Sequence, residues 1–87
     1  MGLNSTLQAI AEPNRRKILE LLTKRNLSVG QLAVHFNITL PSLSHHLSVL
    51  KQADLVSSER RGQEIIYSIN LSVVEEITKY LIKLFKK

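Results

Sequence analysis

The hydrophobic pattern of this chain changes period after Asp54 and changes back after Asn70. Up to about Ala53, apolar residues recur every three or four positions, which predicts helices. A period of two follows in two segments, LVSSERR and EIIYSIN, and predicts a pair of strands. Gly62 and Gln63 separate these segments, and glycine at the first of two loop positions suits a type II′ hairpin turn. The chain is therefore predicted to be mainly α-helical with one small β-hairpin near its carboxyl end.

Four helices are predicted before the hairpin. The first covers LNSTLQAIA, and the second begins at Pro13, whose fixed φ suits a first helical turn. The third covers VGQLAVHF, where Ser28 and Gln31 have the spacing of a capping box. The fourth begins after Thr39 and ends at about Ala53. The third and fourth helices, of about eight and thirteen residues with about three between them, have the outline of a helix-turn-helix.

A fifth helix is predicted over LSVVEEITKYLIKLFKK, which gives the order α-α-α-α-β-β-α. Its acids come early and its lysines late, in agreement with the helix dipole.

A chain of 87 residues buries only about 60 to 65% of its unfolded surface, and without cysteine it has no disulfide or thiolate metal site to stabilise it. Association with a second chain is the remaining route. One side of this helix carries four apolar residues that a second chain would cover: Val74, Ile77, Leu81 and Leu84.

The charge of the chain favours a polyanionic partner. Twelve Lys and Arg against seven Asp and Glu give a net charge of +5, and no acid occurs between Glu20 and Asp54. Such a distribution is typical of nucleic-acid binding, although a solubilising surface charge is the alternative. No apolar run reaches the ~18 residues of a spanning helix, and the amino terminus lacks a signal-peptide pattern, so a cytoplasmic protein is expected.

The fourth helix carries an unusual segment, TLPSLSHHLSVL, which contains no charged residue apart from its histidines. At 100° per residue its leucines Leu43, Leu47 and Leu50 form one face with His46 at the edge. The opposite face is small, polar and uncharged, with Leu40 at its amino-terminal end. Such a face suits the major groove, because hydroxyls and imidazoles bond base edges whereas carboxylates are repelled by phosphates. The candidate base-reading residues are Thr39, Pro41, Ser42, Ser44, His45 and Ser48.

Basic residues at the margins of this face are candidates for phosphate contacts. They are Arg15, Arg16, Lys17, Lys51, Arg60 and Arg61. Helical periodicity predicts that the first three point outward from the second helix.

Other interpretations of these residues remain open. The polar face could be ordinary solvated surface, and His46 suits a packed structural position better than a base-reading one. The histidines His35, His45 and His46 do not predict a metal site, because adjacent helical residues point about 100° apart and no thiol or carboxylate is spaced to complete one. No nucleophile, base and orienting acid occur together. The sequence thus predicts no catalytic residue, no metal, no cofactor and no enzyme activity.

Three segments together resemble a known family: IAEPNRRKILELL, LSVGQLAVHFNITLPSLSHHLSVLKQADLV and RRGQEIIYSIN. They are similar to the ArsR-type winged helix-turn-helix repressors, especially the small SdpR-like autorepressor branch, over residues 7 to 70 without an internal gap. The resemblance implies one winged helix-turn-helix domain over residues 1–87. It also implies a homodimeric bacterial repressor that binds double-stranded DNA.

The resemblance assigns roles to particular parts of the chain. The fourth helix would read DNA through Thr39, Pro41, Ser42, Ser44 and His45, and the hairpin would form a wing with Arg60 and Arg61. The first and last helices would form the dimer interface, which adds Leu3 and Leu7 to the apolar residues of the last helix.

The chain departs from the family pattern at the metal-binding positions, at Asp54 and in the wing. Metal-sensing members carry cysteines near the recognition helix or a histidine and acid set in the last helix, and residues 71–87 contain no histidine or cysteine. Asp54 stands where the family usually has glycine in a left-handed position. Glu59 and Glu64 flank the wing arginines and weaken the expected phosphate contact. Without a visible small-ligand site, regulation is expected through concentration or a protein partner.

A second function fits the closing segment ITKYLIKLFKK. A basic amphipathic helix of this kind lies on anionic lipid or binds another protein. A membrane-surface or protein-interaction module is therefore the alternative to a repressor, although the same apolar stripe is what a dimer requires.

Overall fold

A computed structural model describes residues 2–86 of the chain. Its elements in chain order are α1 (Leu3–Ile10), α2 (Pro13–Leu22), β1 (Leu27–Ser28), α3 (Val29–Ala33), α4 (Leu40–Gln52), β2 (Val56–Arg61), β3 (Glu64–Ile69) and α5 (Leu71–Phe85). The predicted order of five helices and a hairpin is confirmed, with the short strand β1 as an addition. The last residue of the predicted closing helix, Lys87, lies outside the described residues.

The sheet has three antiparallel strands in the order β1-β3-β2. Arg61 pairs with Glu64, so β2 and β3 are joined by the predicted two-residue loop. Gly62 has φ of +62°, while Gln63 has no positive φ, as a type II′ turn requires. Strand β1, whose Leu27 and Ser28 pair with β3, was not predicted from the sequence. This pairing attaches the hairpin to the start of the helix-turn-helix.

The core is formed where α1, α2, α3 and α4 meet the start of β2. Its largest fully buried side chains are Ile18, Leu22, Leu32, Leu43, Leu47, Leu50, Leu55 and Val56. Within the described residues α5 contributes none of the fully buried side chains, and it packs on this core through half-buried Val73, Val74 and Ile77. The closing helix is therefore the element with the most apolar surface left uncovered.

The turn after α4 places the wing relative to that helix. Asp54 has φ of 59°, the left-handed conformation expected of this position. The Leu55 N–H donates to the Leu50 carbonyl at 3.0 Å, and the Asp54 N–H donates to the Lys51 carbonyl at 3.0 Å. These two bonds are those of a Schellman motif, which ends α4 and satisfies its last carbonyls. The Asn70 side-chain amide then donates to the Asp54 carbonyl at 2.8 Å and ties the end of the hairpin to this turn.

Two helices near the amino terminus differ in detail from the prediction. Helix α3 ends at Ala33, because His35 and Phe36 donate to carbonyls three residues earlier and form a tighter turn. The connection to α4 is therefore longer than the predicted three residues. In α1 the fully buried residues are Thr6 and Ala9, which leaves the predicted apolar residues Leu3, Leu7 and Ile10 only half-buried.

Candidate DNA interface

Helix α4 divides into a buried leucine face and an exposed face. The exposed fractions of Leu43, Leu47 and Leu50 are 1% or less. Thr39 precedes the helix, and its hydroxyl accepts from the Ser42 N–H at 3.2 Å, which fixes the first turn. The opposite side of the helix is exposed at Pro41, Ser44, His45, Ser48, Lys51 and Gln52 and half-buried at Ser42, and Thr39 and Leu40 are exposed at its amino-terminal end. The predicted base-reading residues therefore share one accessible surface, which we call the α4 face.

Arg15 forms one flank of the α4 face, and the structure corrects its predicted outward orientation. Its guanidinium is half-buried and donates from Nε to the Ala9 carbonyl at 2.6 Å and from Nη2 to the Gln8 carbonyl at 3.1 Å. Its Nη1 lies 3.1 Å from Nδ1 of His46. Arg15 thus links the carboxyl end of α1 to α4, and two of its five N–H groups are not used in these bonds.

His46 sits between a donor and an acceptor. Its Nδ1 lies 3.1 Å from Arg15 Nη1 and 3.4 Å from Glu12 Oε2, and its side chain is 12% exposed. Because a guanidinium only donates, Arg15 requires an unprotonated Nδ1, whereas the Glu12 carboxylate accepts from a protonated one. The geometry makes His46 a packed residue that joins α4 to α2, in line with the structural interpretation made from the sequence.

Glu12 caps α2 and faces this junction. Its carboxylate accepts from the backbone N–H groups of Asn14 and Arg15, both at 3.2 Å. Burial raises the pKa of the Glu12 carboxyl, but these two hydrogen bonds and the charges of His46 and Arg15 outweigh burial, so the pKa lies below its ordinary value of 4.5. Pro13 predicted the start of this helix, but the capping carboxylate of Glu12 before it was not predicted from the sequence.

Glu12 is expected to make the stability of the fold depend on pH in the acidic range. Its folded pKa is below its unfolded pKa, so its stabilising effect is complete above pH 4.5 and is lost as the pH falls through the folded value. Glu12→Gln keeps an acceptor oxygen and should flatten the stability curve below about pH 5, while Glu12→Ala should also lose about 1 kcal/mol of capping. Thermal unfolding from about pH 3 to pH 7 measures both. Equal acid slopes for wild type and Glu12→Gln would contradict the assignment.

The wing forms the other flank of the α4 face. Lys51 Nζ donates to the Ser58 hydroxyl at 2.7 Å and joins the end of α4 to β2. Arg60 and Arg61 are exposed at the end of β2. Arg61 Nε lies 2.8 Å from Glu59 Oε1, as expected from the acids beside the wing arginines, and both side chains are about two-thirds exposed. An exposed pair of this kind is worth at most about 1 kcal/mol, so a phosphate can replace Glu59 as the partner.

Further basic groups lie on α2. Arg16 is exposed and donates to the Ile10 carbonyl at 2.8 Å. Lys17 donates to the His35 carbonyl at 2.6 Å, and its ammonium lies 4.9 Å from the centre of the Phe36 ring. Of the predicted marginal cations, Arg15 contacts α4 through His46, and Lys51 joins α4 to the hairpin that carries Arg60 and Arg61.

The described residues offer no metal centre or membrane span. Within residues 2–86 no three side chains of His, Cys, Asp or Glu lie close enough together to hold a metal ion. In the same part of the chain no helix is long and apolar enough to cross a membrane.

Two residues of the α4 face were not selected from the sequence. Gln52 is exposed at the end of the helix, and its amide could have been selected because glutamine pairs with adenine. Leu40 was placed at the exposed end but given no role, since exposed leucines by themselves are ordinary.

Comparison with known proteins agrees with this geometry. A family model described as bacterial regulatory protein, arsR family, matches residues 12–58. The chain is 44% identical over 85 residues to the transcriptional repressor SdpR of Bacillus subtilis, covering 98% of this chain and 94% of that protein. It is 32% identical over 79 residues to the arsenical resistance operon repressor of Staphylococcus xylosus, covering 91% and 76%. The crystal structure of a possible transcriptional regulator for arsenical resistance superposes with a TM-score of 0.86 at 29% identity, covering 95% of this chain and 86% of that one.

Proposed function

Since the chain belongs to the arsR family of bacterial regulatory proteins and is a DNA-binding transcriptional regulator, we propose that it acts as a dimeric repressor. In this proposal residues 1–87 form one winged helix-turn-helix domain whose α4 face enters the major groove of a palindromic operator. Its relatives are regulators rather than enzymes. Repression requires no catalytic residue, metal or cofactor, and a cytoplasmic location suits a protein that binds the chromosome.

The single observation that carries the proposal is an exposed face without acids between two basic flanks. The one Lys or Arg of the α4 face is Lys51, which lies at the carboxyl end of the helix. Hydroxyl and imidazole groups of Ser44, Ser48 and His45 suit base edges, while Arg16 and Arg60 on the flanks suit the phosphates of the two strands. A basic surface without such base-reading residues would attract DNA but would not distinguish between sequences.

Dimerisation through α1 and α5 is supported by the apolar surface that these helices leave open. Leu3 and Leu7 are half-buried, and Leu84 remains 58% exposed. A cavity of about 410 Å³ between α1, the end of α4 and α5 is lined partly by Leu3, Ile77 and Tyr80. A symmetric partner would cover this surface and place two α4 helices about 34 Å apart, one in each of two successive major grooves.

The first experiment identifies the operator. Purified protein is incubated with random duplex fragments, and the fragments it retains are sequenced. A repressor of this kind should select a site with two inverted half-sites about one helical turn apart. Selection of no common sequence would contradict the proposed function.

The second experiment separates base contacts from phosphate contacts. His45→Ala should cost about 1 to 3 kcal/mol on the operator and much less on scrambled DNA, with an almost unchanged salt dependence. Arg61→Ala should weaken binding to both duplexes alike and reduce the slope of log affinity against log salt by about one unit per chain. Binding of both variants to both duplexes over a salt series measures this.

Each variant is the control for the other, because both remove one exposed side chain that could bond DNA. The proposal fails if His45→Ala and Arg61→Ala lose operator and scrambled binding in the same proportion. Ser44→Ala should behave as His45→Ala does, since it lies beside His45 on the same face.

Regulation of the repressor is proposed to come from its own concentration or from a protein partner. No three metal-ligating side chains of one chain lie close together within residues 2–86, and the proposal assigns metal no part in regulation. Added zinc or a chelator should therefore leave operator affinity unchanged within about tenfold.

A further inference from the structure

Leu40 is an apolar exception on the α4 face. Its exposed fraction is 59%, whereas Leu43 and Leu47 on the same helix are buried in the core. The other large exposed apolar residues of the described chain lie outside α4, at Val34, Ile65, Leu71, Tyr80, Ile82, Leu84 and Phe85. Leu40 lies at the amino-terminal end of α4. The question is which group of the DNA an apolar side chain at this end would contact.

The position of Leu40 is fixed by the helix start. It is the first residue of α4, directly after the Thr39 cap. At 100° per residue it lies about 40° around the helix from Ser44 and about 20° from Leu47, at the border between the candidate base readers and the buried leucines. Unlike those leucines it is exposed, because it lies in the first turn of α4. The amino end of α4, where Leu40 lies, is the end that a recognition helix directs at base edges.

The chemistry of the major groove offers one apolar group for such a side chain. Base edges there present hydrogen-bond donors and acceptors, together with the C5-methyl group of thymine. A leucine cannot satisfy a donor or acceptor, and covering one without a partner is unfavourable. Contact with a methyl group instead removes two apolar surfaces from water.

We infer that Leu40 reads the C5-methyl group of a thymine in each operator half-site, and this inference rests on the proposed function. Leu40 is thus a specificity-determining residue that acts by apolar contact, whereas His45 and Ser44 act by hydrogen bonds. The operator should carry a thymine at one fixed position of each half-site.

The test removes the methyl group from the DNA and the side chain from the protein. In the selected operator, each thymine of the half-site is replaced in turn by deoxyuridine, which lacks only the C5-methyl group. Wild-type protein should lose about fourfold in affinity per half-site at one position, the effect of one buried methyl group. Leu40→Ala should bind thymine and deoxyuridine equally there, while His45→Ala should keep the wild-type ratio.

Leu71→Ala is the matched control. Leu71 is also the first residue of its helix and is 60% exposed, but it begins α5. Both variants should unfold at nearly the wild-type temperature, because the truncated side chains are exposed. Leu71→Ala should retain the wild-type ratio of thymine to deoxyuridine affinity at every position.

The outcomes separate this inference from the function on which it rests. If the protein selects an operator but Leu40→Ala distinguishes thymine from deoxyuridine as wild type does, only the role of Leu40 is overturned. The same conclusion follows if wild-type protein binds the fully deoxyuridine-substituted operator undiminished. If no operator is selected, the proposed function itself fails and the role of Leu40 fails with it.

Discussion

Replacing Leu81 with glutamate is expected to convert the dimer to monomers that bind the operator at least about a hundredfold more weakly. Leu81 lies half-buried on α5, and a symmetric interface contains two copies of it. Each buried leucine contributes about 1.5 to 3 kcal/mol at best, and a buried unpaired carboxylate adds a further penalty. Loss of the second half-site contact removes an avidity of about 10² to 10⁴.

Light scattering and operator binding measure these two effects together. Wild-type protein should show twice the 9.9 kDa of one chain at micromolar concentration. Lys79→Glu, on the exposed polar side of α5, is the control, because it changes the charge by two units rather than one. A monomeric wild-type protein, or a Lys79→Glu variant that dissociates equally, would contradict an interface built on Leu81.

Co-sedimentation of the wild-type protein addresses the lipid-binding alternative. Ile82, Leu84 and Phe85 are all more than half exposed on α5, and a lipid surface would cover them as a partner chain does. Co-sedimentation with anionic vesicles measures this directly. Wild-type protein that sediments with vesicles while remaining monomeric without them would favour the membrane-surface function over the dimer.

The features that the sequence predicted well are set by neighbouring residues. Helix α4 was predicted with its correct face and nearly its correct end, because its cap, its leucine spacing and its left-handed Asp54 all lie within one short segment. The hairpin was predicted with its turn, because a two-residue loop that starts with Gly62 leaves few alternatives.

The features that the sequence did not predict depend on distant partners. Strand β1 has two residues, and only its pairing with Tyr67 and Ile66 defines it as a strand. Arg15 was assigned to the outer face by helical periodicity, but the Gln8 and Ala9 carbonyls at the end of α1 accept its hydrogen bonds. Periodicity gives the direction of a side chain on its own helix and says nothing about what another helix places there.

The candidate DNA interface also combines features set by neighbouring residues with features set by distant partners. The residues of the α4 face could be identified from the sequence, since a helix with a leucine stripe exposes the opposite side. The contacts that hold this face in place, from Arg15 to His46 and from Lys51 to Ser58, join segments far apart in the chain. These contacts became visible only with the tertiary structure.

Replacing Leu50 with alanine is expected to destabilise the fold by about 2 to 5 kcal/mol. Leu50 is completely buried, and its carbonyl also accepts the Schellman bond that directs the chain into the wing. In a domain of this size the loss should lower the melting temperature by about 10 to 30 °C, which thermal unfolding measures. Ser48→Ala, two residues away on the exposed face, should leave the melting temperature nearly unchanged and weaken operator binding instead. Since one face of α4 is proposed to hold the helix and the other to read DNA, a stable Leu50→Ala protein would contradict that assignment, and so would a Ser48→Ala protein that unfolds as early as Leu50→Ala.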